Sequence, residues 1–543
     1  MRNVVTIGFV LLAAAACESG PGEAKQPPVL TITSPARSLI QGQAGRLTVT
    51  GTATPNAHGD ALAAVMVNDV AATLSPDGSF SAMIDIPQGA TLIQTVATDV
   101  NGLSVSDTRA IQAGKLHPVG TSIDRAVAAA ISSDAFAKLS NAAGPIIKGL
   151  DMPAMLRPLQ PMISLGGSLA NLKLSVDNLK FSDIKVSLVP VAGGLSFSAE
   201  IDGLDVPGRI DFAGTLVPDG STTVRVTADK ITIAGTLHVT PNGMAGFKTK
   251  LTNPDVHITN ADLSASGLPG LILDLLDVND VINTIAPVGA ELAMGPLVNL
   301  ALGALAGPKQ LDVLGKKLDL QVSPSVVDFT ADGGVVEMSM KAMLEGSEAS
   351  PGFIFTDNAA PVMDRVVGLQ IGLADDLANE MLAELHALGA LNLSMPQNAG
   401  VFDTAQIQLS LPPMISADAS DGEMRVVLGD MLATFTSHGT PVGKAAINAK
   451  VELKISPVVG GGAVALQLGK PEIHVNTLDD VANTTGLTDK DLAAATAAVL
   501  GAQIDAITKL LVAIPIPSIA GLQFHDLSIS GDDGYVMLSG QLN

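Results

Sequence analysis

Few side chains in this sequence can do chemistry, and their spacing argues against most reactions. Eight histidines occur: His58, His117, His238, His257, His386, His438, His474 and His525. None stands at zinc-ligand spacing from another His, Cys or acid, so no metal site is expected. His386 follows Glu384 at the end of a helical stretch and reads as a solvated surface residue. The paired acids Asp375-Asp376, Asp479-Asp480 and Asp532-Asp533 would suit glycoside hydrolysis, in which two carboxyls flank the scissile bond. Adjacent residues on a helix point in different directions, however, and Asp532-Asp533-Gly534 has the composition of a hairpin turn. All three pairs read as turns or solvated faces. A sugar site would also present aromatic platforms, whereas Trp is absent and Tyr535 is the one tyrosine. The sequence has no Gly-x-Ser-x-Gly elbow, phosphate loop or dinucleotide fingerprint. It therefore predicts no catalytic residue, no cofactor and no enzyme.

Cys17 is the one cysteine and the one nucleophile in a telling place. Arg2 supplies a positive start, Val4 to Leu12 an apolar stretch, and Ala13 to Ala16 small residues before the cysteine, the order of a secretory signal. Ala14-Ala15-Ala16-Cys17 resembles the lipobox of bacterial lipoproteins, although Leu is usual where Ala14 stands. That resemblance implies a signal peptide over 1–16, a diacylated Cys17 as lipid anchor, and export to the outer membrane, cell surface or periplasm. Glu18, in place of Asp, favours the outer membrane. Simple secretion with a free thiol is the alternative. Residues 17–28, rich in Ser, Gly, Pro, Glu and Lys, form a flexible tether. The net charge of −23, from 30 basic and 53 acidic residues, lacks the clustered cations that nucleic acid requires.

The elements behind these residues fall into three parts. Residues 29–114 alternate with period two and carry Pro76-Asp77-Gly78-Ser79 and Asp99-Val100-Asn101-Gly102 as turns, which predicts a β-sandwich. Its pattern resembles the immunoglobulin-like modules of bacterial surface proteins, and its acids read as turn formers. In residues 115–330, Thr121-Ser122-Ile123-Asp124 reads as a helix start, with Ile123, Val127, Ile131, Ala135 and Leu139 on one helical face. Alternating strands follow to about Leu263. Leu268 to Ala306 reads as buried helix, too interrupted by Pro287, Pro296 and acids to span a membrane. Residues 331–543 repeat the scheme. Leu373, Leu377, Met381, Leu385 and Leu388 mark an apolar helical face, and Asp376, Glu380 and Glu384 a solvated one that also takes in Ala383. More strands and a capped helix from Thr488 to about Val512 come next, then two closing strands.

The stretch Val367-Gly368-Leu369-Gln370-Ile371-Gly372-Leu373-Ala374-Asp375-Asp376-Leu377 through Leu391-Asn392-Leu393 resembles the start of the second barrel in the bactericidal/permeability-increasing protein family. That family includes lipopolysaccharide-binding and cholesteryl-ester-transfer proteins and belongs to the tubular lipid-binding superfamily. Val335 to Ala342 is similar to its central sheet, and Ile514 to Ile529 to its closing strands. The resemblance implies an α+β fold of two elongated barrels, each a curled antiparallel sheet wrapped on a long helix, forming a boomerang preceded by the immunoglobulin-like sandwich. It also implies an apolar or acyl lipid as partner, held in one groove per barrel. The lining residues expected from position are Ile123, Val127, Ile131, Leu275, Val278 and Ile282 in the first barrel. In the second they are Leu377, Met381, Leu385, Leu500, Ile504 and Leu511. Each of these is equally readable as plain core. The functional expectation is a lipid-anchored surface protein that binds or shuttles acyl lipid; the alternative is a structural or adhesive lipoprotein with packed barrels. The family's basic lipopolysaccharide-gripping tips and its disulfide are missing, so endotoxin binding is not expected.

Overall fold

The structure is a computed structural model that describes residues 25–166, 171–214, 219–265, 277–302, 306–313, 315–356, 359–366, 368–396, 402–416, 423–457, 463–478, 488–490, 514–515 and 524–542. The chain forms two compact units. One comprises residues up to Ala36 with Arg46–Asp85 and Ile93–Asp107; the other comprises Arg37–Gly45, Ile86–Leu92 and Thr108–Asn543.

Strands of the N-terminal module make a four-stranded and a five-stranded sheet, and the module is an immunoglobulin-like sandwich. Its alternation is visible in strand Ser79–Ile86, where Phe80, Ala82, Ile84 and Ile86 are buried and the residues between them are not. The acids in its turns work locally. Asp77 Oδ1 accepts from the Ser79 amide and hydroxyl at 3.0 and 2.7 Å. Asp99 Oδ1 accepts from the amides of Asn101 and Leu103 at 2.9 and 2.8 Å. These are Asx turns, as the sequence predicts.

In the larger unit a seven-stranded antiparallel sheet collects strands from both halves of the body. Its order is Gly307–Val313, Lys316–Thr330, Gly333–Leu344, Ile123–Ser132, Leu369–Ala374, Tyr535–Leu542, Phe524–Asp532. Strands Ile123–Ser132 and Leu369–Ala374 pair at its centre, with Ala129 opposite Ile371. Each leads directly into a helix, Ser133–Lys148 after the first and Asp376–Ala387 after the second. Each half thus opens with a strand that leads into a helix, where the sequence predicts a helix from the start. Thr121–Asp124 does not start a helix: Ile123, Val127 and Ile131 lie on a β-strand, and the helix begins ten residues later at Ser133, capped by Ser132 Oγ on the Ala135 amide. Residues Ala126 to Ser132 are buried without interruption, because this strand is covered on both faces. Residues 331–332 turn one hairpin of the sheet, so both sides of that expected boundary belong to one element pair. Asp533 and Gly534 turn another, at φ 25° and 84°, as the Asp-Asp-Gly composition predicts.

A six-stranded sheet from Ile163–Gly166 to Phe247–Ala265 follows the first helix, with strands of up to 22 residues. The long helix Val278–Ala301 then packs on it. Val278–Leu300 is apolar and long enough to cross a membrane by length and composition, but here its buried face completes the core. Pro287 and Pro296 lie inside the helix and do not end it. An eight-stranded sheet from Leu393–Pro396 to Ile514–Pro515 occupies the second half. Its inner face buries Phe402, Ile407, Met431, Phe435, Ile447 and Val475. The architecture is thus mostly β. A second long helix expected over Thr488 to Val512 falls almost wholly outside the described residues.

Candidate functional site

The alternating pattern of the first curled sheet turns its apolar side chains inward. Ile184 and Val186, Phe197 and Ala199, Leu204 and Val206, Val226, Ile231 and Ile233 form one wall of a cavity. The long helix supplies the other wall, with Ile282, Ile285 and Met294 standing among the small residues Ala286, Gly289, Ala290 and Ala293. Those small residues recur at three- and four-residue spacing, so they share one face and leave a slot along the helix. Ile147 of the first helix and Met152 close one side. Every described residue that lines it is apolar or glycine. Walls so built attract a ligand through dispersion and burial.

The cavity is narrow. Its closed volume is about 50 Å³, although the space between its walls, counted out to open solvent, reaches about 670 Å³. The smaller figure governs what fits without movement, and it is well below the ~150 Å³ at which an apolar cavity accepts benzene. A chain-like ligand therefore requires the helix and the sheet to part.

Polar side chains set the position of the long helix. Asp277 caps its first turn, accepting from the Asn279 amide at 2.7 Å. Glu291 Oε1 accepts from the Leu251 amide at 2.7 Å. Asn299 Oδ1 accepts from the Phe247 amide at 2.8 Å, and its Nδ2 donates to the carbonyls of Phe247 and Gly295 at 3.0 Å each. These two residues bond to backbone of the edge strand Phe247–Ala265, which explains a carboxylate in the apolar middle of the helix. Opposite, Gly144 lets the first helix approach strand Asp183–Val191 closely: a Cβ there would lie 2.7 Å from the Ile184 carbonyl oxygen.

Of the residues expected to line the first groove, Ile282 lies on the cavity wall. Val278 is half-buried on the same helix and packs on the core beside it. Val127 and Ile131 are buried in that core from the central sheet, and Ile123 packs with Ala126, Phe353 and Ala383. Leu275 lies outside the described residues, as do Cys17, Leu500, Ile504 and Leu511. Leu385 and Met381 pack on Leu318, Ala342 and Leu344 of the central sheet, and Leu377 touches two core clusters. The sheet residues that form most of the cavity wall are legible in the sequence as alternating strands, but not as a site.

The helix Asp376–Ala387 overturns a second expectation. Its acids are not solvated: Asp375, Asp376, Glu380 and Glu384 are buried, the last two completely, and Ala383 is 2% exposed. Asp376 Oδ1 accepts from the Thr356 amide at 2.7 Å, and Asp375 Oδ1 from the Thr356 hydroxyl at 2.6 Å. Glu380 Oε1 accepts from the Gly120 amide at 2.7 Å. Glu384 Oε1 accepts from the Leu344 amide and the Ser347 hydroxyl at 3.0 Å each. Burial pushes Asp376 up to about 7 and Glu380 to about 8, and it also raises Glu384. His386 is half-buried, with Nε2 3.0 Å from the Leu409 carbonyl oxygen. Leu373, expected on the apolar face, is 46% exposed on its strand.

Comparison with known proteins places the parts separately. Residues 28–114 match the family described as glucodextranase, domain B. No curated protein matches the chain. Among solved structures, the chain is similar to lipopolysaccharide binding protein, at 14% identity and a TM-score of 0.35, covering 78% of this chain and 99% of that one. It is also similar to P47 from Clostridium botulinum A2, at 10% identity and a TM-score of 0.27, covering 76% and 96%. P47 of Clostridium botulinum E1 gives 10% identity and a TM-score of 0.25, covering 77% and 98%.

Proposed function

We propose that this chain is a non-catalytic lipid-binding protein whose first half takes an acyl chain between the long helix Val278–Ala301 and the curled sheet. The observation that carries this reading is a slot walled entirely by apolar side chains, with small residues along the helix where a chain would lie. Each methylene moved from water into such a slot contributes about 0.8 kcal/mol, so ten or more would offset a modest cost of displacing the helix. A matching groove in the second half, giving two barrels on long helices, is part of the proposal. So are export and anchoring of the protein to the outer membrane or cell surface through acylated Cys17. The small closed volume favours a second reading, a packed structural body that binds nothing.

The test is uptake of a fluorescent fatty acid by delipidated protein carrying Ile282→Asp, compared with Asn283→Asp one position along. Ile282 is on the cavity wall and Asn283 is exposed. A carboxylate in the slot has no solvation or partner, so Ile282→Asp should abolish uptake in folded protein while Asn283→Asp leaves it unchanged. Equal uptake by both variants would remove the slot from the account.

A further inference from the structure

We propose that the buried carboxyls of the helix Asp376–Ala387 form a pH-sensitive latch, which holds two backbone segments against the helix when protonated and lets them lift when ionised. The two segments are 116–120 and 353–356. They are already joined: Leu116–His117 pairs with Phe353–Ile354, and the His117 ring stacks on Phe355 at 4.1 Å between centroids. Glu380 holds the first through the Gly120 amide, and Asp376 the second through Thr356. Asp376, Glu380 and Glu384 are four residues apart in turn and so line one helix face, the face most deeply covered.

Two of these carboxyls are incompletely satisfied. The second oxygens of Glu380 and Glu384 are buried with no hydrogen-bond partner among the described residues. A neutral carboxyl tolerates that environment; an ionised one does not, and water reaches it only if its cover moves. Among the described residues, the charged groups that act most strongly on these carboxyls are themselves acids. Asp375 lies beside Asp376, Glu348 beyond Glu384, and the Tyr535 ring near both aspartates. Arg125, from the central strand, is exposed and ion-paired to Glu337 at 3.0 Å. Asp124 and Lys341 on the strands packed against the helix are exposed. His117 is held below its usual range by burial and by Lys115. The raised values of Asp376 and Glu380, about 7 and about 8, place that titration between about pH 6 and pH 9.

Hydrogen exchange on the full chain tests this, with protection of the Gly120 and Thr356 amides normalised to intrinsic exchange at each pH. Wild type should lose tenfold or more protection at these amides between pH 6 and pH 9, while the Leu188 amide, bonded to the buried Ser140 hydroxyl, stays protected. Glu380→Gln keeps an acceptor for Gly120 but cannot ionise, and should retain protection at pH 9. The single tyrosine in a chain without Trp gives a second readout: Tyr535 fluorescence should shift as Asp376 ionises in wild type and stay flat in Asp376→Asn. A flat wild-type profile overturns the latch, and so does a Glu380→Gln profile identical to a falling wild-type one. Should Glu380→Gln fail to fold, Asp376→Asn read at the Thr356 amide decides in the same way.

Discussion

Asp376 and Glu380 tie the fold to pH in a definite direction. In an unfolded chain both ionise near pH 4, whereas in the fold they hold their protons to about 7 and about 8. Between these limits the unfolded state releases protons that the folded state keeps. Stability from these groups is therefore full below about pH 4 and is lost as pH rises to about 8, each tenfold difference in proton affinity being worth about 1.4 kcal/mol. Urea unfolding of Asp376→Asn between pH 5 and pH 9 should show a shallower decline than wild type, and parallel declines would contradict the assignment. The sequence offers little access to this. Asp376, Glu380 and Glu384 alternate with Leu377, Met381 and Leu385 as an amphipathic surface helix would. Their true neighbours, Gly120, Leu344 and Thr356, are backbone amides from distant segments that no local pattern reports.

At the scale of elements, spacing misleads in one place and serves in others. Ile123, Val127 and Ile131 are four residues apart, which puts them on one face of a helix but equally on one face of a strand. The uninterrupted apolar run from Ala126 to Ile131 is the better signal, since a strand covered on both sides shows no alternation. The half-buried strands of the curled sheet do alternate, and the sequence shows them from Leu172 to Leu263. The long helix is legible in its apolar content, but its docking is not, because Glu291 and Asn299 bind strand backbone rather than side chains. Asn299→Ala removes three hydrogen bonds and strands a backbone amide and carbonyl of the edge strand. It should cost about 1–3 kcal/mol in urea unfolding. It should also speed fatty-acid uptake, because the helix then parts from the sheet more easily; slower or unchanged uptake would argue that the helix is not the moving wall.

For the whole molecule, the sequence reads helix, strands and long helix twice, whereas each half opens with a strand that leads into its helix, and no local pattern reports the seven-stranded sheet that collects strands from both halves. Cys17 carries the cellular part of the proposal. Cys17→Ser should abolish incorporation of radiolabelled fatty acid and release the protein from the membrane fraction; retention without labelling would point to another anchor. The central claim is that an apolar slot binds lipid by burial alone. The most direct measurement is uptake of a fluorescent fatty acid by folded, delipidated protein at low and high salt. Saturable uptake that changes little with ionic strength is expected, since the described residues lining the slot carry no charge. No uptake, or uptake only at low salt, would contradict it and leave the packed body as the reading.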